Sequence, residues 1–298
     1  MDRPRLGFIG IGIMGEAMTR RLLDRGWQVT AWNLERARLD VVTPHGALEA
    51  ASPAAVVAAS DIVLMCVLDT DAVRNCVFGP GGLATSREAA GKLVIDLSTI
   101  DPDATRDIAG RAAAEAGLQW IDCPVSGGPA AARQGTLTIM AGGEAAAFER
   151  GRPVLDELGT NVTRMGSIGA GQTAKIVNQA IVGVGYVLMT EAAVLAEAAG
   201  IDAARLPECL AGGFADSALL RKLYPRIEQR DFDPPQAYAR QLLKDMKAVA
   251  DFAREVGCNL PLVQQARDRF AQYVDSGHAM SDPASLVRLY ERGHAAND

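Results

Sequence analysis

Up to about residue 164 the chain alternates short β-rich runs with stretches of helical composition, and beyond Gly166 that alternation stops. Strands are expected at 5–9, 28–32, 62–67, 93–97, 119–122 and 136–141, with 161–164 as a further candidate. Segments rich in Ala, Glu and Arg, such as 104–116 and 145–158, lie between them. Apolar strands separated by helices bury both faces only as right-handed βαβ units in a parallel sheet covered on two sides. From 172 to 199 the pattern is one long helix ended by Gly200. Further helical segments follow at 203–210, 217–224, 237–256, 262–276 and 283–292, with Gly, Pro, Asp or Asn at most joints. The expected architecture is therefore a doubly wound, mostly parallel α/β Rossmann-like domain over 1–164. An all-α domain over 165–298 follows, joined to it by the long helix. A length of 298 residues suits two domains of ordinary size.

The turn after the first strand reads Gly10-Ile11-Gly12-Ile13-Met14-Gly15 and opens a helical segment. In that context the glycines are a dinucleotide cradle. The first allows a tight turn, the second lets the backbone approach a pyrophosphate, and the third lets helix and strand pack closely. The free N–H groups of the helix start then face the phosphates. The competing reading is a glycine-rich turn with no ligand. At the end of the second strand stands Asn33, where a carboxylate ordinarily accepts from the adenosine ribose. Arg36 and Arg38 lie near enough in sequence to meet a 2′-phosphate, or they sit on a solvated face, and Glu35 opposes them. NAD and NADP both remain open as the cofactor. Leu68 and Asp69 fall at the carboxyl end of a strand, where such sheets bind ligands. Ser98 and Thr99 occupy the equivalent place after the 93–97 strand. They either contact the cofactor or cap the helix that begins near Asp101.

Two further motifs carry chemistry. Asp122-Cys-Pro-Val-Ser126-Gly127-Gly128-Pro129 follows a strand and presents a hydroxyl with several backbone N–H groups. That is either an anion nest suited to a carboxylate or an ordinary tight turn. Lys175 and Asn178, three apart on the long helix, share a face, with Gln172 on the neighbouring turn. The apolar neighbours Ala174, Ile176, Val177 and Ile181 place Lys175 at an interface rather than in free solvent. Desolvation there lowers a lysine pKa and fits it for proton exchange with a reacting hydroxyl. Lys244 and Asp245 either close over the cofactor or substrate or belong to a surface ion network. Phe214, Phe232 and Tyr238 are candidates for lining a substrate pocket.

Composition excludes other classes. The net charge of −6, with no basic block, gives nucleic acid no footprint. Five cysteines, scattered without a C-x-x-C pair, make neither a disulfide framework nor a zinc site, and no metal site is expected. His45, His278 and His294 offer no triad. The first strand begins by Leu6, so no leader is expected ahead of it. The apolar run 180–190 is too short to cross a bilayer, so no membrane association is expected. The expected compartment is the cytoplasm.

With these residues in view, the chain resembles the β-hydroxyacid dehydrogenase family from about Leu6 to Asp251. The family includes 3-hydroxyisobutyrate dehydrogenases, tartronate semialdehyde reductases and glyoxylate/succinic semialdehyde reductases. The resemblance implies hydride transfer between NAD or NADP and a short, carboxylate-bearing 3-hydroxy acid. It makes Lys175 the catalytic lysine and Asn178 its substrate-positioning partner. Ser126, Gly127 and Gly128 become the carboxylate turn, Lys244 and Asp245 the closing motif, and Gly10, Gly12 and Gly15 the cofactor loop. A homodimer or homotetramer is the family expectation. The departure is Asn33-Leu34-Glu35, which carries neither the Asp of NAD-using members nor the Asn-Arg pair of NADP-using ones.

Overall fold

The computed structural model describes residues 3–294. They form two compact units, one reaching to Lys175 and the second beginning at Ile176.

In the first unit, β1 (Leu6–Ile9), β4 (Ile62–Met65) and β5 (Leu93–Asp96) are buried at every position. Successive side chains of a strand point to opposite faces, and here both faces are dry. Leu6, Phe8, Ile62, Leu64, Leu93 and Ile95 enter one core, which α1 (Ile13–Asp24) and α6 (Ala145–Leu158) cover. Ile9, Val63, Met65 and Val94 enter the other, beneath α2 (Pro53–Ala59), α3 (Thr70–Phe78) and α4 (Pro102–Ala116). Burial on both faces explains why these strands read as continuous apolar runs.

The sheet also contains β2 (Val29–Trp32), β3 (Leu48–Glu49), β6 (Gln119–Asp122), β7 (Val125–Ser126), β8 (Leu137–Gly143) and β9 (Gly159–Gly166). Its order is β3-β2-β1-β4-β5-β6-β8-β7, with β9 paired to β8. All pairings from β3 to β6 are parallel, whereas β8 runs antiparallel to both β6 and β7. The short helix α5 (Gly128–Gln134) joins β7 to β8. Strands β3 and β7, two residues each, carry too little pattern to be expected from sequence.

The helix α7 (Ala170–Ala198) starts in the first unit and continues into the second. The second unit also holds α8 (Leu206–Cys209), α9 (Ala218–Lys222), α10 (Tyr224–Glu228), α11 (Ala239–Glu255), α12 (Pro261–Tyr273) and α13 (Arg288–His294). The segment expected as one helix over 217–224 is two short helices, because Pro225 begins a new first turn where its missing N–H costs nothing. By length and hydropathy alone α7 could cross a membrane, with a mean hydropathy of 1.6 in its most apolar window. This corrects the expectation that its apolar run is too short to span. Part of that apolar surface, 39% of the window, is buried. Ile176, Ala180, Val184, Tyr186 and Val187 pack with Leu243, Met246, Val263 and Phe270 of α11 and α12. Ala193 and Met189 pack with Leu220, Tyr224 and Phe232.

Two helical glycines sit in opposite surroundings. A Cβ on Gly183 would strike the Met246 side chain, whereas one on Gly110 in α4 would meet nothing within 4 Å. Gly183→Val should therefore destabilise by about 1–3 kcal/mol through overpacking. Gly110→Ala should stabilise by about 0.5–1 kcal/mol through helix propensity. Urea midpoints moving in opposite directions at unchanged slope would verify both.

Candidate active site

The cradle after β1 is built as its glycines require. Gly10 has φ +95°, and a Cβ there would run into the carbonyl oxygen of Cys66. A Cβ on Gly15 would run into the carbonyl oxygen of Gly10, so α1 can lie this close to β1 only without a side chain. Gly12 differs: a Cβ there would meet nothing within 4 Å. It faces open space as the N-cap of α1, and no side chain caps the helix. The first-turn N–H groups of α1, from Ile13 onward, are thus left for an anionic ligand. Ile13, Leu34 and Leu68 stand exposed at the carboxyl ends of β1, β2 and β4, at 71%, 85% and 80% of their full surface. A bare helix start beside exposed apolar side chains fits a dinucleotide, which has a charged middle and flat apolar ends.

Asn33 braces this loop. Its Oδ1 accepts the Ile11 N–H at 2.8 Å, and its Nδ2 donates to the Glu35 carbonyl at 3.0 Å. Arg38 Nε donates to the Ile11 carbonyl at 3.0 Å, so the Ile11 residue is held at both its N–H and its carbonyl. Arg36 forms a forked pair with Glu49, both contacts at 2.9 Å. Asn33, Arg36 and Arg38 are all engaged with protein groups. Sequence reasoning had left the two arginines between a phosphate and a solvated face.

Behind the loops at the ends of β4 and β5 lies a polar seam. Ser98 is buried, its Oγ accepting the Val67 N–H at 3.0 Å and its own N–H donating to Asp96 Oδ1 at 3.0 Å. Thr99 is exposed. Neither caps α4; Asp101 does, accepting the Ala104 N–H at 2.8 Å. Asp69 caps α3 in the same way, accepting the Ala72 N–H at 2.9 Å.

Asp122, fully buried at the end of β6, supports the start of α7. Its Oδ1 accepts the Gly169 N–H and its Oδ2 the Gln172 N–H, both at 2.8 Å. A Cβ on Gly142 or Gly171 would crowd this carboxylate, at 2.5 and 2.8 Å, so both glycines are needed for the approach. One turn further along α7, half-buried Lys175 extends Nζ to the Val125 carbonyl at 2.9 Å. Val125 immediately precedes Ser126, Gly127 and Gly128. The two glycines have φ +132° and +74°, and a Cβ on Gly128 would meet nothing within 4 Å. The structure thus brings Lys175 to the residue that precedes the Ser126–Gly128 turn. Asn178, Lys244 and Asp245 belong to the second unit. Asn178 is half-buried on α7, while on α11 Lys244 is exposed and Asp245 half-buried. Phe232 lies in the core of that unit, which removes it as a pocket residue, and Phe214 is fully exposed.

Sequence reasoning missed Asp96 and left Asp122 and Gln172 without roles. Acids closing otherwise apolar strands were the available signal. Asp96 and Asp122 are register partners on adjacent parallel strands. Burial, opposed by hydrogen bonds from Ser98 and reinforced by the nearby Asp122, pushes Asp96 up to about 7. Burial also raises Asp122, against the pull of the Gly169 and Gln172 N–H groups. Burial likewise pushes the Cys66 and Cys76 thiols up to about 12 and about 11, so both stay protonated and inert. All five cysteines are free, and no group of three or more His, Cys, Asp or Glu able to hold a metal exists among the described residues.

A sheet with a bare glycine loop, joined through a long helix to a helical unit, defines a dinucleotide-dependent oxidoreductase. Residues 5–166 match the family model for the NAD-binding domain of 6-phosphogluconate dehydrogenase. Residues 169–290 match the model for the NAD-binding domain of NADP-dependent 3-hydroxyisobutyrate dehydrogenase. The chain is 37% identical to the 2-hydroxy-3-oxopropionate reductase of Escherichia coli, over 96% of this chain and 97% of that one. It is 32% identical to the 2-(hydroxymethyl)glutarate dehydrogenase of Eubacterium barkeri, over 97% and 95% of the two chains. Among solved structures it resembles the 3-hydroxyisobutyrate dehydrogenase of Mycobacterium tuberculosis, studied with L-serine. That match has a TM-score of 0.87 at 28% identity and covers 97% and 99% of the two chains. The chain belongs to the β-hydroxyacid dehydrogenase family. It is an enzyme that uses NAD or NADP.

The raised Asp96 pKa has a consequence for stability. Between the ordinary value of 3.8 and about 7 the folded state binds more protons at this group than the unfolded state. Stability should therefore fall as pH rises through that window, by at most about 1.4 kcal/mol per pH unit from this group. Asp96→Asn should remove that slope, so thermal midpoints at pH 5 and pH 8 should lie closer together than in the wild type.

Proposed function

We propose that the enzyme interconverts a short 3-hydroxy acid and its semialdehyde, with Lys175 as the group that moves the proton. The observation that carries this reading is the 2.9 Å contact from Lys175 Nζ to the carbonyl of Val125, the residue before Ser126. It sets an ammonium group beside a turn whose hydroxyl and two glycine N–H groups suit a carboxylate. The nicotinamide, when bound, supplies a hydride to the carbonyl carbon in reduction and takes one up in oxidation. Lys175 gives its proton to the carbonyl oxygen in reduction and recovers one from the hydroxyl in oxidation. Ser126, Gly127 and Gly128 hold the substrate carboxylate, and Asn178 orients the substrate without adding charge. Lys244 and Asp245 act from α11 on cofactor and substrate.

Gly10, Ile11, Gly12, Ile13, Met14 and Gly15 would hold the cofactor phosphates, and Asn33, Leu68, Asp69 and Thr99 would line the rest of the nucleotide. The E. coli relative's name makes 2-hydroxy-3-oxopropionate the substrate to try first. A homodimer or homotetramer is proposed from the exposed apolar stripe of Val177, Ile181, Leu188 and Leu195 on α7, whose spacing suits a partner helix. The free thiols support a reducing, cytoplasmic setting.

Initial rates with 2-hydroxy-3-oxopropionate, succinic semialdehyde, glyoxylate and methylmalonate semialdehyde, each with NADH and NADPH, test the reading. Lys175→Ala should lower kcat about 10²- to 10⁴-fold while cofactor affinity stays within about threefold. Ser126→Ala should raise KM about 10-fold or more, the worth of one hydrogen bond to a charged group. A Lys175→Ala enzyme that keeps most of its turnover would refute the assignment.

A further inference from the structure

Gln172 occupies the first turn of α7 at 1% exposure, and its polar groups are spent on two other segments of the chain. Its backbone N–H donates to Asp122 Oδ2 at 2.8 Å. Its side-chain Oε1 accepts the Ile100 N–H at 3.2 Å, and its Nε2 donates to the Ser98 carbonyl at 2.8 Å. The helix start does not need that carboxamide, because Asp122 already serves the N–H groups of Gly169 and Gln172. What the side chain adds is a tie to the segment 98–100, which continues from β5. Only a group that both donates and accepts across a short span can make that tie, so an apolar side chain of equal volume cannot replace it.

Three residues later on the same helix, Lys175 Nζ meets the Val125 carbonyl, and Val125 itself lies three residues after Asp122. Asp122, Gln172, Lys175 and Val125 thus close a circuit, and the carboxamide fastens it to the end of β5. We propose that Gln172 is a positioning residue for Lys175, locking the first turn of α7 to the 98–100 segment so that ammonium and segment keep a fixed spacing. This rests on the reading of Lys175 as the proton-transfer group. Proton transfer is sensitive to such spacing: a misplacement of about 1 Å can cost about 100-fold.

Gln172→Leu and Gln172→Glu test the proposal beside Lys175→Ala and wild type, with 2-hydroxy-3-oxopropionate and both reduced cofactors as probes. Gln172→Leu leaves the Ile100 N–H and Ser98 carbonyl unpaired. It should lower kcat about 10- to 100-fold while KM and the cofactor dissociation constant stay within about threefold. Amide exchange should quicken over both 98–100 and 172–175, a readout that needs no turnover. In Gln172→Glu the protonated side chain can still accept from Ile100 and donate to Ser98, whereas the ionised one cannot donate. Burial raises that carboxyl's pKa, so kcat should hold at low pH and fall along a new descending limb absent from the wild type.

Should Gln172→Leu fail to fold, the Gln172→Glu pH profile decides alone. Wild-type kcat in Gln172→Leu, a Gln172→Glu profile matching the wild type, or unchanged exchange over both segments each overturns the proposal. A fully active Lys175→Ala overturns the proton-transfer reading itself. An inactive Lys175→Ala beside an active Gln172→Leu overturns only the positioning role.

Discussion

The site depends on one buried carboxylate. Asp122 lies at the end of β6 and takes the first N–H groups of α7 at 2.8 Å on each oxygen. A helix start buried without such a partner leaves donors orphaned at a cost of about 1–3 kcal/mol each. Asp122 removes that cost and draws the helix against the sheet. It also sets which residue of α7 faces the turn that follows β6. With Gln172 tied to Asp122, the residue one turn on is Lys175, and its reach ends at Val125. The position of the lysine is thus a consequence of how its helix begins.

The cofactor loop follows a different logic, in which the backbone is shaped by what is missing. Gly10 and Gly15 have no room for a side chain, because each would collide with a carbonyl oxygen. Gly12 has room and fills none of it. The contrast separates glycines that let the chain pack from the one that keeps a surface open. Asn33 complements this arrangement. Its amide satisfies the Ile11 N–H, and Arg38 satisfies the Ile11 carbonyl from the other side. The residue that departs from the usual acid is therefore a structural brace of the loop, and the neutral amide can accept from a backbone N–H without adding charge beside a pyrophosphate.

The alternation of strands and helices, the glycine loop and the long helix were all legible in the sequence, because each rests on local periodicity or on glycine at a forced turn. Lys175 was legible as a candidate because a lysine among Ala174, Ile176 and Val177 is out of place on a solvated face. Gln172 and Asp122 were not legible, since their importance comes from partners 47 to 74 residues away in sequence. The same holds for Asp96, whose perturbed titration follows from burial at the end of β5, with Asp122 beside it on the next strand. Local pattern finds groups that must be satisfied, and the fold alone says by whom. Phe232 shows the reverse error, for an aromatic in a helical domain is a pocket candidate until its packing against Leu220 and Tyr224 is seen.

The reversal of strand direction explains why the chemistry gathers where it does. From β3 to β6 every pairing is parallel, so their carboxyl ends line one edge of the sheet. Strand β8 then runs antiparallel to β6, which sets Gly142 opposite Asp122. Gly142 has no side chain to fill that corner, and the backbone of Gly171 enters it instead. The reversal also leaves two residues, Val125 and Ser126, to pair with β8 as a short strand before the glycine turn. A continuing parallel strand would need a helical crossover of a dozen or more residues between β6 and its neighbour. Such a crossover would carry the chain away from this edge. The antiparallel return keeps Ser126, Gly127 and Gly128 close to the end of β6, within reach of the helix that Asp122 anchors.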